Sequence, residues 1–84
     1  MFARASGLGN TRFGISVKKA LGGAVVRNRI RRRIREILRL HRREIPQGWD
    51  IVVHPRPSVA RAKFASLEEE LVRLIRSAVK VAGA

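Results

Sequence analysis

Apolar residues recur at spacings of three and four through the middle of the chain. The repeat predicts a helix from Ala24 to about Glu44. Pro46 and Gly48 supply the stop signals that end it. One arc of this helix is apolar and should face the core, and its members are Ile30, Ile34, Ile37 and Leu38, with Val26 and His41 at the edges.

Three other segments have strand patterns. Arg12–Val17 alternates, with Phe13, Ile15 and Val17 on one face, so it predicts a half-buried strand. The apolar run Trp49–His54 is expected to be a strand buried on both faces, and Pro55 and Pro57 stop it. Phe2–Ala5 resembles the end of a further strand, which Gly7, Gly9 and Asn10 close with a turn.

A second helix is predicted to begin at Ser66, because Ser66-Leu67-Glu68-Glu69 has capping-box spacing. Three acids would then lie near the helix N-terminus, where the dipole favours negative charge. An earlier helical turn between Ser58 and Phe64 fits the sequence. The expected core stripe consists of Phe64, Leu67, Leu71, Leu74, Ile75 and Ala78.

The element order is strand, helix, strand, helix, and 84 residues make one domain. The strands on either side of the first helix should be parallel, because a helical crossover joins them. We therefore expect an α+β fold, a small two-layer sandwich of one sheet with helices packed mostly on one side.

The first helix is also extremely basic. Seven arginines lie between Arg27 and Arg39, Arg42 and Arg43 follow, and Glu36 is the single acid in this stretch. The whole chain carries 19 basic and 6 acidic side chains, a formal charge of +13. A solvated helix face normally interleaves Glu with Arg, which this helix does not do. A polyanion, most simply the phosphate backbone of nucleic acid, is the expected partner.

Spacings of four align Arg27, Arg31, Arg35 and Arg39 along this helix, and guanidinium groups bind phosphate in a bidentate way. Asn28 offers a donor and an acceptor to a base edge or ribose hydroxyl. The helix N-terminus after Gly22-Gly23 suits phosphate. Further candidates for a basic surface are Lys18 and Lys19 and the strand-end residues Arg12 and Arg56; any of these four could equally be an ordinary surface residue.

The sequence offers little for catalysis. It has no cysteine, no paired carboxylates beside a nucleophile and no phosphate-binding glycine motif, and His41 and His54 lack further ligands at metal-binding spacing. His41 is expected to pack near the apolar stripe, Trp49 to be core rather than a base-stacking residue, and Asp50 to cap a turn or pair with an arginine. No catalytic residue, metal site or small-molecule substrate is predicted.

No apolar run reaches the ~18–20 residues that span a bilayer, and a cytoplasmic protein is expected. A helix lying on a membrane surface is a weaker interpretation, because the flanking strands indicate a folded globule.

One stretch resembles a known family. Arg12–Val17, Lys19, Gly22, the run Ala24–Arg32, Arg35-Glu36 and Arg39 are similar to the protein subunit of bacterial ribonuclease P, with Arg27-Asn28-Arg29 at the centre of the motif. Asp50–Val53 followed by Arg56-Pro57 is similar to a later strand of that family. The resemblance runs from about Arg12 to Ser77.

The resemblance implies a sandwich like the second domain of ribosomal protein S5, with a left-handed strand–helix–strand crossover against the usual hand. It implies binding to the catalytic RNA of the enzyme, which removes the 5′ leader of precursor tRNA by hydrolysis with Mg²⁺ held mainly by RNA and substrate. The implied contacts to that RNA are Lys18, Lys19, Arg27, Asn28, Arg29, Arg31, Arg32, Arg35 and Arg39, and the implied contacts to the leader are Phe2, Arg12 and Arg56.

Family members also begin with an additional helix and a full first strand, for which only Phe2–Ala5 stands in here. Part of the leader cleft is therefore expected to be missing or the sheet edge exposed. The alternative hypothesis is a non-catalytic architectural binder of duplex DNA or ribosomal RNA that has no cleavage partner.

Overall fold

The computed structural model describes residues 1–83. Three strands and two helices make up the fold: β1 (Phe2–Ala5), β2 (Arg12–Ile15), α1 (Ala24–Leu40), β3 (Trp49–Val53) and α2 (Phe64–Ala82). Two short 3-10 turns precede the helices, at Lys19–Leu21 and Pro57–Ala60. The second is the helical turn that the sequence allowed before α2.

The sheet has the order β1-β3-β2, so the last strand in sequence lies in the centre. β2 runs parallel to β3 and β1 runs antiparallel to it, which confirms the parallel pairing predicted across α1. Asp50 of the central strand is paired with Arg4 of β1 on one side and with Arg12 of β2 on the other.

The two faces of the sheet have different environments. Ile51 and Val53 point towards the helices and are 1% and 4% exposed, whereas Asp50 and Val52 on the other face are only half-buried. The expectation that this strand is buried on both faces is therefore wrong. Both helices pack on the same side of the sheet, and the second face of β3 has no layer above it among residues 1–83. We call this uncovered side the outer sheet face.

α1 carries its predicted stripe into the core, where Ile30, Ile34 and Ile37 are almost completely inaccessible and Leu38 is buried. The helix ends at Leu40, earlier than the predicted Glu44, and His41 occupies the C-cap position. The next residues form turns, because the apolar repeat stops at Leu38 and nothing beyond it draws the chain back to the core until Ile45.

α2 begins at Phe64 with Lys63 as its N-cap, so the prediction that Ser66 caps it is wrong. Ser66 lies inside the first turn, makes no capping hydrogen bond, and the acids fall one turn later than expected. The buried stripe is Leu67, Leu71 and Ile75. Two predicted members face solvent instead: Phe64 is 38% and Leu74 42% exposed.

The two-layer α+β architecture is confirmed, and a buried cluster of aliphatic side chains from α1, α2 and β3 holds the layers together. Within residues 1–83, no helix is both long and apolar enough to cross a membrane.

Candidate nucleic-acid interface

The side of α1 that points away from the core forms a basic surface. Because the isoleucine stripe fixes the rotation of the helix, the intervening positions must face outwards. Four of its arginines are exposed, Arg29, Arg32, Arg35 and Arg39, while Arg27 and Arg31 lie half-buried along one margin of the stripe. We call these six arginines and Asn28 the arginine face.

One arginine of this face is bound to a carboxylate. Glu36 accepts hydrogen bonds from Arg39 Nε at 3.1 Å and Nη2 at 2.6 Å. The bidentate contact lowers the pKa of Glu36 below its ordinary value and raises the pKa of Arg39. The other five arginines of the face have no carboxylate partner among residues 1–83. Their charge is therefore available to a polyanion.

Asn28 is oriented by its neighbour one turn later. Its Oδ1 accepts a hydrogen bond from Arg31 Nη1 at 3.1 Å. The contact uses the acceptor of the amide and leaves the amide NH₂ donors of Asn28 facing outwards from an exposed position. Asn28 and Arg31 thus form one donor-rich unit on the helix surface.

The N-terminus of α1 also favours anions. Gly23 is the N-cap residue and supplies no side-chain cap, and no acid lies in the first turn. Lys18 and Lys19 are exposed just before it, around the Lys19–Leu21 turn. Free backbone N–H groups and a positive dipole end therefore extend the basic surface at this point.

The outer sheet face holds two of the three residues predicted to contact the leader. Phe2 (54% exposed) and Arg12 line a shallow cavity of about 250 Å³ together with Arg4, Gly14, Asp50 and neighbouring strand residues. Arg56 does not line it; this residue precedes the Pro57–Ala60 turn and lines a separate cavity beside α2.

Asp50 sits between two guanidinium groups on this face. Arg12 donates from Nε and Nη2 at 2.8 and 2.9 Å, and Arg4 Nε lies 3.6 Å away. The Arg12 hydrogen bonds lower the pKa of Asp50 below its ordinary value, with both positive charges adding to the effect. Pairing with an arginine was one of two roles predicted for Asp50 and is confirmed. Two cations share one anion here, so the face keeps a net positive charge.

Three side chains have roles that sequence reasoning missed. Arg4 joins the outer sheet face, which the alternation of β1 would have revealed. Arg33, although part of the arginine-rich run, donates from Nη2 to the carbonyl of Ala62 and ties α1 to the segment before α2. His41 was predicted to pack, yet its ring contacts two carboxylates, Nδ1 with Glu44 and Nε2 with Glu68 at 3.0 Å.

No group of three or more His, Cys, Asp or Glu side chains that could hold a metal ion occurs within the described chain, residues 1–83. His41 contacts two carboxylates, those of Glu44 in the exposed turn after α1 and of half-buried Glu68 in α2.

Comparison with known proteins decides the family. The family model described as Ribonuclease P matches residues 1–79, which include both the arginine face and the outer sheet face. The chain belongs to the ribonuclease P protein family. Among the relatives, the Ribonuclease P protein component of Roseiflexus castenholzii is 49% identical over 75 residues, covering 88% of this chain and 62% of that protein. The corresponding protein of Thermotoga maritima is 40% identical over 77 residues, covering 87% and 66%.

Solved structures of ribonuclease P proteins share the fold. The protein from Thermotoga maritima superposes with a TM-score of 0.82 at 38% identity, covering 89% of this chain and 72% of that one. The protein from Staphylococcus aureus gives 0.71 at 32% identity, covering 95% and 70%. The chain spans less than two thirds of the length of the curated ribonuclease P proteins named above.

Proposed function

We propose that this chain acts as the protein component of ribonuclease P. Its arginine face binds the catalytic RNA of the enzyme, and its outer sheet face binds the 5′ leader of precursor tRNA. The observation that carries the proposal is a helix, packed against the core by its isoleucines, with five arginines that have no carboxylate partner among residues 1–83. Membership of the ribonuclease P family supports the same role.

In this proposal the RNA performs the hydrolysis and the protein supplies positive charge. Mg²⁺ is held by the RNA and the substrate, and hydrolysis needs no catalytic side chain from this protein. Guanidinium groups stay ionised at any physiological pH and pair with phosphate through two parallel hydrogen bonds. A folded RNA brings many phosphates together, and the arginine face reduces their repulsion. We place the protein in the cytoplasm, where a bacterial precursor tRNA is processed.

The outer sheet face has the chemistry for a single strand. Phe2 offers an exposed ring on which a base can stack, and Arg4 and Arg12 lie on the same face to meet phosphates. Gly14 lies next to Val52 on the other side of β3 from Phe2, and its lack of a side chain leaves the surface open there. A narrow strand fits this shallow surface, which offers no groove for a duplex.

The decisive experiment is reconstitution with a bacterial ribonuclease P RNA at low Mg²⁺, with cleavage of precursor tRNA as the readout. We expect the chain to raise the cleavage rate above that of the RNA alone. Binding should weaken steeply with salt, with a log–log slope of roughly −4 to −5 for about six phosphate contacts.

A triple variant of Arg27, Arg31 and Arg35 to alanine tests the assigned face. Its matched control replaces three exposed basic residues of α2 with alanine, Arg73, Arg76 and Lys80, and so removes the same charge. We expect only the α1 variant to lose RNA binding. Equal loss in both variants would show that net charge rather than this face binds RNA. Tight RNA binding by the wild type without any stimulation of cleavage would favour an architectural RNA- or DNA-binding protein.

A further inference from the structure

A groove in the helical layer lies beside the arginine face and shares Arg29 with it, while its other lining residues have no part in the RNA contacts proposed for that face. It has a volume of about 530 Å³ and runs between α1, the Lys19–Leu21 turn and the Pro57–Ala60 turn. Leu21, Val26, Pro57 and Ala60 make an apolar floor, while Arg29, Arg61 and Ser58 supply its polar groups. Clefts of this volume, with mainly apolar walls and a few polar groups, are typical binding sites for small ligands.

The groove is built into the fold. Arg33 donates to the carbonyl of Ala62 and so fixes the Pro57–Ala60 segment against α1. On the other side, Gly22 has φ of 138°, and a Cβ there would lie 3.1 Å from Val26. A residue other than glycine would push the Lys19–Leu21 turn away from α1 and change the width of the groove.

The charge around the groove has one sign. Neither Arg29 nor Arg61 has a carboxylate partner among residues 1–83, and Arg29 belongs to the arginine face. An occupant must therefore combine a flat apolar body with negative charge and reach the groove from an RNA already bound to α1. An unstacked nucleotide has both properties: its base suits the apolar floor and its phosphates suit the two guanidinium groups.

We propose that this groove receives one unpaired nucleotide of the catalytic RNA, with the base over Val26 and Ala60 and the flanking phosphates at Arg29 and Arg61. This inference rests on the proposed function, since it requires that α1 lies on that RNA. The leader is not the occupant, because the outer sheet face lies on the other side of the sheet from the helical layer. The groove would add a structure-selective contact to a surface that otherwise binds phosphate.

Filling the groove tests the proposal without changing any charge. Ser58 is exposed between the groove and the cavity that Arg56 lines, so Ser58→Trp places a large ring at the edge of the groove. Ser77→Trp, at an exposed position of α2, is the matched control. The readouts are the Kd for a bacterial ribonuclease P RNA and the chemical reactivity of its ribose 2′-hydroxyls with each variant bound.

We expect Ser58→Trp to weaken binding roughly fivefold or more, the lower end of the contribution of a stacked base, because the floor of the groove is aliphatic rather than aromatic. Ser77→Trp should bind like wild type. Binding of the wild-type protein should change the reactivity of a few unpaired nucleotides, and this change should be absent with Ser58→Trp but present with Ser77→Trp. The rest of the footprint should be the same for all three proteins. Should Ser58→Trp fail to fold, Arg61→Ala against Arg73→Ala makes the same comparison.

The inference is overturned if Ser58→Trp, or Arg61→Ala in its place, binds the RNA with the Kd and footprint of the wild type. The proposed function still stands in that case if the wild-type protein stimulates cleavage. If the wild type neither binds nor stimulates the RNA, the proposed function itself has failed. If Ser58→Trp changes the mass of the protein in solution but not its RNA binding, the groove contacts protein rather than RNA.

Discussion

Releasing Arg39 from Glu36 should strengthen the dependence of RNA binding on salt. In the structure Glu36 accepts both hydrogen bonds of the Arg39 guanidinium, at 3.1 and 2.6 Å, so this arginine is compensated before RNA arrives. Glu36→Gln removes the negative charge and frees Arg39 to bind a phosphate. The fold should be unaffected, because an exposed ion pair contributes little to stability.

The size of the effect follows from counterion release. One additional phosphate contact steepens the log–log salt slope by about 0.7 to 0.9. Between about 50 and 200 mM salt, the variant should therefore lose about threefold more affinity than wild type. Filter binding or fluorescence anisotropy with a bacterial ribonuclease P RNA over this range measures both slopes.

Two controls separate the arginine face from net charge. Glu69→Gln removes an equal charge from an exposed position on α2, and it should leave the slope unchanged. In an Arg39→Ala background, Glu36→Gln should no longer steepen the slope, because no guanidinium is freed. The reasoning is refuted if Glu36→Gln has the wild-type slope, or if Glu69→Gln changes the slope as much.

Three further predictions concern stability and the outer sheet face. Ile34 is 1% exposed, and Ile34→Ala should lower the free energy of unfolding by about 2 to 5 kcal/mol. The control Val25→Ala, at a position 83% exposed, should change the free energy of unfolding by less than about 0.5 kcal/mol. Urea titration measures both values. A hydrogen bond to Glu44, and a smaller effect of the one to Glu68, raise the pKa of His41 above its ordinary value of 6.5. The stability that protonated His41 adds to the fold is therefore complete below pH 6.5 and is lost as the pH rises through the raised pKa. The urea midpoint should therefore fall over that window in wild type but not in His41→Gln, and equal pH profiles would contradict the assignment. Asp50→Asn leaves Arg12 without its anion and should increase affinity for a single-stranded RNA oligonucleotide, which anisotropy detects; unchanged affinity would exclude this face as a binding surface.

The elements that sequence predicted well are those whose signal is local. Ile30, Ile34 and Ile37 repeat at helical spacing, so both the existence and the rotation of α1 could be read from them. The same rotation placed the arginine face. The ends were less secure: Ser66 fits a capping box, but Phe64 and Ala65 continue the helix backwards and Lys63 takes the cap position. Local spacing cannot tell which of two overlapping starts the packed chain selects.

What sequence could not supply depends on distant contacts. Arg12 and Asp50 are 38 positions apart and meet only because β2 and β3 are parallel in one particular register. Arg33 looks like any other arginine of the run until the position of Ala62 is known. Arg39 is the exception, because Glu36 lies three residues before it on the same helix and the spacing alone indicates the pair. The residue roles on both faces stay predictions until RNA binding is measured.

Asp50 also helps to determine the register in which the strands pair. Strands of four or five residues offer few hydrogen bonds to distinguish one alignment from the next. Sliding β3 by one position would turn Ile51 and Val53 to solvent and force a carboxylate among aliphatic side chains. That penalty excludes shifts by an odd number of positions, and a shift by two would take Asp50 away from Arg4 and Arg12. The observed alignment is therefore the one that accommodates both Asp50 and its hydrophobic neighbours.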